Sequence, residues 1–417
     1  MSRRQPANDL FGGIASFAAL RTAAHHAVLG KRRSPGAANF LARLEPEILR
    51  LERELNDGSY RPGRYRAFEV FDPKRRMVSA APFRDRVVHH ALCSVIEPVF
   101  ERSFIFDSYA NRAGKGTHRA IDRFERGMNR FAYVFRGDIY RYFPAIDHQI
   151  LKTVIRRHIA CPKSFGLIER IIDASNPQEP VDLHFPGDDL LSPIGRRRGL
   201  PIGNLTSQMF ANIYLDGLDH FCQEILGAKN YVRYMDDFAL FHNDPIVLRQ
   251  WRARLVTWLA GRRLVLHPGK SLIVSTRERM NFLGIELAAD LPRRLADENV
   301  QRFRLRLRSM ADRYHAGNLS FDEITPRIRS WIAHARHART ERLREAIFRG
   351  AVFHPPRDPD RAATAFSVAG PGTTIPRTFA RPIATGTNPP TGTTTSGSVL
   401  PARAQIGAAA ITVAAGE

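Results

Sequence analysis

Two adjacent acids, Asp236 and Asp237, lie between the short apolar runs Tyr231-Val232-Arg233 and Phe238-Ala239-Leu240-Phe241. Aromatic and β-branched runs on either side of a polar centre predict a β-hairpin with both carboxylates at its tip. In such apolar company the two charges repel one another unless a cation stands beside them. A divalent ion answers that need, because hard Mg²⁺ takes carboxylate oxygens together with substrate phosphates. The plain alternative is an acidic turn without chemistry, since Asp is an ordinary turn residue. A third acid weighs against it. Phe131-Ala132-Tyr133-Val134-Phe135 predicts a strand leading to Asp138, far from the hairpin in sequence. An Asp at a strand end facing an Asp-Asp hairpin suits two-metal phosphoryl transfer, with one ion at the attacking 3′-oxygen and the other at the leaving pyrophosphate.

Between these sites, Gly199-Leu200-Pro201-Ile202-Gly203-Asn204-Leu205-Thr206-Ser207-Gln208 predicts a turn that opens a helix running to about Leu226. Such a turn offers backbone N–H groups to a nucleotide or a template.

Taken in order, these blocks resemble a reverse transcriptase over most of residues 1–350. Asp138 with Tyr142-Phe143 is similar to the family's first catalytic motif, the Leu200–Gly203 loop to its second and Tyr234-Met235-Asp236-Asp237 to its third. Leu264–Lys270 resembles the fourth, and Asn281-Phe282-Leu283-Gly284-Ile285 the primer-grip hairpin. Lys74-Arg75-Arg76 and Pro82–Val88 are similar to basic fingers elements that receive the triphosphate. The resemblance implies an α+β right-hand polymerase with fingers, a palm built on an antiparallel sheet, and a helical thumb. It implies an RNA-directed DNA polymerase that takes dNTPs and two Mg²⁺ ions (Mn²⁺ as the alternative) on a template RNA and an RNA–DNA hybrid. Asp138 and Asp236 are then the primary metal ligands, Ile139 adds a backbone carbonyl, and Asp237 holds charge and geometry. Phe143 matches the family's steric gate against a 2′-hydroxyl, with an ordinary core aromatic as the other reading. Lys74, Arg76 and Arg86 are candidates to hold the triphosphate, although Arg86 at a helix start could simply pair with Asp85. Lys270 would protonate or merely neutralise the departing pyrophosphate.

One detail points further. Ile202 stands where the family's common form carries Gln, and Gln208 where it carries Pro. This Ile-Gly-x-x-x-Ser-Gln form, with the Ser108–His118 stretch, resembles enzymes of diversity-generating retroelements, which copy a template RNA with errors concentrated at adenines. That resemblance implies a small basic accessory protein as partner. Ile202 replaces a side chain with donors and an acceptor by one with neither; a packing residue under the loop is the bland alternative. Two other roles stay open: an antiphage defence reverse transcriptase, and an inert RNA-binding scaffold with the same fold.

Lys and Arg number 63 against 41 Asp and Glu, a net charge of +22. Such an excess attracts polyanions, and with no apolar run near the roughly 18–20 residues of a membrane span the polyanion is nucleic acid rather than lipid. Cys93, Cys161 and Cys222 are widely spaced, which excludes a Cys-rich zinc module and fits a reducing cytoplasm. The amino terminus shows no signal-peptide pattern.

The elements that must position these groups follow from periodicity. Residues 1–60 read as a helical extension, with Phe40, Leu44, Ile48, Leu51 and Leu55 on one face of a single helix. Fingers are expected over 61–130, with strands at about 66–71 and 77–81 and a helix at about 84–100. The palm spans 131–290 with a fingers insertion at about 149–198, which ends in Arg196-Arg197-Arg198 where a template backbone would run. The thumb spans 291–352, and residues 291–350 hold 14 Arg, no Lys and 7 acids. There Arg304 and Arg308 would face a hybrid while Phe303, Leu307 and Met310 pack inward. Trp331, His334 and His337 are expected to cover a helix–helix contact. Residues 353–417, rich in Pro, Gly, Thr and Ala, predict a disordered tail.

Overall fold

The structure, a computed structural model, describes residues 10–30, 34–71, 75–176, 178, 181, 183–350 and 353. Lys74 and the tail beyond Phe353 therefore lie outside the described residues. At the amino end, the single helix expected through Phe40 and Leu55 is two, Pro35–Ala42 and Leu44–Asn56, broken at Arg43 (φ −127°, ψ 37°). Pro46 explains the break. It has no N–H to give the carbonyl one turn back, so it fits only within the first turn of a new helix. Ile48, Leu51 and Leu55 remain on the buried face.

Two strands follow, β1 (Arg66–Phe71) and β2 (Arg75–Ala80), paired antiparallel from Arg66 opposite Ala80 to Phe71 opposite Arg75. Helix Phe83–Glu101 comes next and packs against helix Leu205–His220. The latter is buried around most of its circumference, including Thr206, Ser207, Asn212, Asp216 and Asp219. A helix so largely enclosed keeps polar residues by pairing them, as Asn212 and Asp219 are paired with Arg233.

The central sheet is antiparallel, ordered β4-β5-β3-β6, with β3 at Tyr133–Asp138, β4 at Tyr231–Tyr234, β5 at Asp237–His242 and β6 at Leu272–Ser275. Its strands carry Val134, Phe135, Tyr231, Val232, Phe238, Ala239, Leu240 and Phe241, all buried. Both faces are covered, with helices Pro245–Ala260 and Thr117–Arg130 among the neighbours, which is why these strands read as apolar runs rather than strict alternation. Gly137 sits opposite Phe238 in the register, and a Cβ there would collide with the Phe238 ring. The glycine lets the two strands close just below the carboxylates.

A three-stranded antiparallel sheet, β7 (Met280–Phe282), β8 (Ile285–Leu287) and β9 (Arg294–Leu295), follows. Leu283 and Gly284 turn its first hairpin with φ of 52° and 85°, the left-handed pair that a tight hairpin turn requires. The described chain divides into two compact units, the second comprising Val300–Arg336 and the described residues from Thr340 onward. Within the second unit Trp331 stacks on Phe303 at 3.8 Å, so Trp331 does cover a helix–helix contact. His337 belongs to the first unit instead, where it stacks on His118 at 3.4 Å.

Candidate active site

The site forms where β3 ends beside the β4–β5 hairpin. Asp138 and Asp237 are direct partners in the antiparallel register, which places their side chains on one face of the sheet. Asp236 occupies the two-residue turn with Met235, whose φ of 58° makes the reversal. Burial, then the charges of Asp237 and Asp138, push the Asp236 carboxyl up to about 7. Burial also raises Asp237, opposed by Arg136, whose Nη2 donates to Asp237 Oδ1 at 3.1 Å. Lys270 Nζ donates to Asp138 Oδ2 at 2.5 Å. The segment that brings Lys270 is zipped onto β3 by His267 N–H to the Asp138 carbonyl (2.7 Å) and Tyr140 N–H to the Val265 carbonyl (2.8 Å), on either side of an Ile139–Leu266 bridge. Ser271 Oγ donates to the Asp138 carbonyl at 3.2 Å.

With Lys270 and Arg136 the only cations paired to these acids among the described residues, full ionisation of Asp236 leaves the cluster one positive charge short, which, after burial, is why its carboxyl is held up. Among the described residues no three His, Cys, Asp or Glu side chains form a ready-made metal cage. A Mg²⁺ site of the phosphoryl-transfer kind needs none, because it completes its octahedron with water and substrate phosphate around one or two carboxylates. The all-oxygen donor set of Asp138, Asp236 and Asp237 suits that ion, and their mutual repulsion is the strain that it would relieve.

Beneath the turn lies Arg233, with no exposed side-chain surface. Its Nε and Nη2 donate to the two oxygens of Asp219, each at 2.6 Å, and its Nη1 to the Met235 carbonyl at 3.0 Å. Ser108 Oγ and Asn212 Oδ1 accept its remaining bonds. One guanidinium thus ties the hairpin tip to the central helix and to the Ser108 segment.

The Gly199–Asn204 loop is fixed at both ends. Leu200 N–H donates to the Phe143 carbonyl (3.0 Å), and Ser79 N–H of β2 to the Ile202 carbonyl (2.9 Å). Asn204 bridges the same strand, its Nδ2 donating to the Ser79 carbonyl at 2.8 Å and its Oδ1 accepting from Ala81 N–H at 3.2 Å. Gly203 has φ +108°, and a Cβ there would stand 2.9 Å from Val78 Cγ1. The glycine is required by both its conformation and its distance from β2.

Comparison with known proteins now bears on this geometry. The family described as reverse transcriptase (RNA-dependent DNA polymerase) matches residues 71–287, just over half of the chain. The chain belongs to the reverse transcriptase family. It is 29% identical to protein YkfC of Escherichia coli over 44% of this chain and 47% of that protein. It is 27% identical to the group II intron-encoded protein LtrA of Lactococcus lactis over 48% of this chain and 33% of that one. The chain thus spans less than half the length of either relative. Among solved structures, apo telomerase from Candida tropicalis aligns with a TM-score of 0.42 at 11% identity, covering 56% of this chain and 48% of that one. The α+β, right-hand polymerase class read from the sequence is the one observed.

The reverse transcriptase fold brings Asp138, Ile139, Asp236, Asp237 and Lys270 together, and ties Phe143, Ile202 and Gly203 to one another through the loop. Phe143 is half-buried, its ring 5.7 Å from that of Tyr142. Gln208 lies one turn into helix Leu205–His220. Arg76 is exposed on β2. Arg86 does not pair with Asp85: its Nε donates to the Ala81 carbonyl, while Asp85 takes Tyr60 Oη and Gly63 N–H.

Arg196 corrects the sequence reading most clearly. It was expected to meet nucleic acid, but it is nearly buried and paired with Asp188 and Asp147. Arg197 remains largely exposed, donating to the Asp173 carbonyl at 2.6 Å. Arg198 is half-buried and bridges to Asp147 through its backbone. In the second unit Arg304 and Arg308 are exposed, opposite buried Phe303, Leu307 and Met310. Sequence reasoning missed Arg136, Arg233 and Asn204 as site supports. Arg136 was legible, because it precedes Asp138 by two on a strand and so shares its face.

No helix among the described residues is long and apolar enough to cross a membrane.

Proposed function

We propose that this chain is an RNA-directed DNA polymerase that extends a primer with dNTPs on an RNA template, by two-metal nucleotidyl transfer. The observation that carries the reading is the pairing of Asp138 with Asp237 across β3 and β5, with Asp236 in the adjoining turn. Asp138, Asp236 and the Ile139 carbonyl would hold Mg²⁺. Bound there, the ions would activate the primer 3′-hydroxyl and neutralise the charge on the departing pyrophosphate.

The chain's own residues would do the rest. Lys270, now on Asp138, is within reach of the same face and would transfer its ammonium to the pyrophosphate as the carboxylate takes up metal. Arg136 holds Asp237 on the sheet. Phe143 and the Ile202–Gly203 backbone would form the floor of the nucleotide pocket, with Arg76 and Arg86 at the triphosphate. Arg304 and Arg308 would contact the hybrid backbone.

The finer reading is error-prone cDNA synthesis in a diversity-generating retroelement, with a structured template RNA and a small basic accessory protein. Its support is the Ile202 and Gln208 substitutions and the Ser108–His118 segment. Asp138→Ala or Asp236→Ala should abolish primer extension while RNA binding stays near the parent value, and Asp237→Asn should retain more activity than Asp236→Asn. Full extension by Asp236→Ala would exclude these carboxylates as the metal site, and a parent that binds RNA but extends no primer would leave an RNA-binding scaffold.

A further inference from the structure

Arg136 stands on β3 opposite Ala239 of β5, two residues before the Asp138–Asp237 pair. Residues two apart on a strand share a face, so its side chain leaves the sheet beside those carboxylates. Asp237 is its diagonal neighbour across the strand pair, a separation that a long side chain can bridge. One arm of the guanidinium does so, with Nη2 donating to Asp237 Oδ1 at 3.1 Å. The other arm reaches the separate three-stranded sheet. There Nη1 donates to the Asn281 carbonyl of β7 at 2.6 Å. Asn281 Oδ1 in turn accepts from Gly284 N–H at 3.0 Å and so closes the turn to β8. Its neighbour Phe282 is fully buried and stacks on Phe124 at 4.3 Å. The β7–β8 hairpin is thus held by a ring stack at one residue and by a charged hydrogen bond at the next.

As an ion pair alone this contact would mean little. Both side chains are about a quarter exposed (26% and 27%), and a partly solvated pair adds little stability. The bridge is what matters. A lysine ammonium could neutralise Asp237 as a point charge, but a guanidinium is a rigid plane whose donors diverge in fixed directions. The Asn281 carbonyl and the Asp237 carboxylate are therefore held no farther apart than one guanidinium and two hydrogen bonds allow. A shift of the hairpin is passed to Asp237, the register partner of Asp138.

We infer that Arg136 is a positioning residue that locks the β7–β8 hairpin to the Asp237 carboxylate, so that seating of the primer end and the geometry of the three acids are set together. The inference rests on the polymerase reading and deepens it, by naming what aligns the reacting strand with the carboxylates. A strand whose 3′-end reacts at Asp138 and Asp236 has to pass the hairpin, because the hairpin backbone and Asp237 share one guanidinium. A strand pressed against a hairpin tied in this way arrives in one register. With the tie cut, the strand still binds, but its end and the carboxylates move independently. The cost then falls on the rate of the bound complex rather than on affinity.

The test uses the full chain with a primer–template hybrid and three variants: Arg136→Lys, which keeps the charge but not the fork; Asn281→Ala, which frees the hairpin turn; and the two combined. Arg136→Lys should lower kcat by about 10–100-fold, the scale of a small misplacement of reacting groups, while hybrid Kd stays within about twofold of the parent, since no phosphate contact is lost. Asn281→Ala should also lower kcat. In the double variant its effect should vanish, because a loose hairpin reaches Asp237 only through Arg136. A second readout needs no turnover. With a primer ending in 2-aminopurine and no divalent ion present, Arg136→Lys and Asn281→Ala should shift the fluorescence of the bound primer end in the same direction, and the double variant no further. Parental kcat in Arg136→Lys would overturn the inference, since charge alone would then suffice. So would additive losses in the double variant, or a primer-end signal in Arg136→Lys identical to that of the parent. A parent that extends no primer would instead refute the polymerase reading beneath it.

Discussion

Arg233 and Asp219 form a doubly hydrogen-bonded ion pair in which neither side chain reaches solvent. The pair joins the hairpin that carries Asp236 and Asp237 to the central helix, since Arg233 also holds the Met235 carbonyl beside Asp236. Its value is geometric: the turn that carries the acids cannot move without breaking a buried charge pair.

Removing one partner therefore costs more than the pair itself contributes. Asp219→Ala leaves a buried, uncompensated guanidinium and should destabilise the fold by about 3–5 kcal/mol. Asp219→Ala with Arg233→Leu should recover part of that loss, because no charge is then stranded. Urea denaturation of the three proteins checks both statements, and an unchanged midpoint in Asp219→Ala would show that the pair is open to water.

Gly203 supports a second prediction. Gly203→Ala adds a Cβ 2.9 Å from Val78 Cγ1 at φ +108°, combining overpacking with a backbone conformation that alanine resists. A loss of about 1–3 kcal/mol follows. Extension should fall further than stability does, because relief of the clash moves the loop from β2 and with it the Ile202 carbonyl that Ser79 holds. Thermal unfolding and steady-state extension on one preparation separate the two effects.

The exposed arginines of helix Asp297–His315 give a prediction in salt. Replacing Arg304 and Arg308 by Gln should weaken hybrid binding and reduce the slope of log affinity against log salt by about one unit per lost phosphate contact. Phe303, Leu307 and Met310 are untouched, so the melting temperature should barely change. A parental slope would mean that this face meets solvent only.

The parts of this protein legible in its sequence are those set by local rules. Strand period and apolar runs placed Asp138, Asp236 and Asp237, because residues at strand ends and hairpin tips have few other places to be. The helix break at Arg43 was legible too, through Pro46, but the stronger apolar period masked it. What stayed hidden was set by long-range partners. Arg196, Arg197 and Arg198 are chemically alike in the sequence, and only the approach of Asp147 and Asp188 takes Arg196 out of solvent. Arg233 read as part of a strand, and nothing local announces that Asp219 will meet it from the central helix.

Ile202 carries the prediction most particular to this chain. Its carbonyl is fixed by Ser79 and its side chain is half-buried on a loop braced against β2, so the backbone path is set by neighbours rather than by the Ile side chain. A Gln in its place can therefore enter without rebuilding the loop. Under the proposed function it would bring donors and an acceptor where the Ile side chain has neither, and one polar check is worth about 1–3 kcal/mol of discrimination. Ile202→Gln should accordingly lower misincorporation, most visibly opposite template adenine. Sequencing of cDNA copied from one defined RNA by parent and variant reads the effect directly. A parent whose errors are already few and even across the four bases would remove the mutagenic reading and leave Ile202 as a packing residue in an ordinary reverse transcriptase.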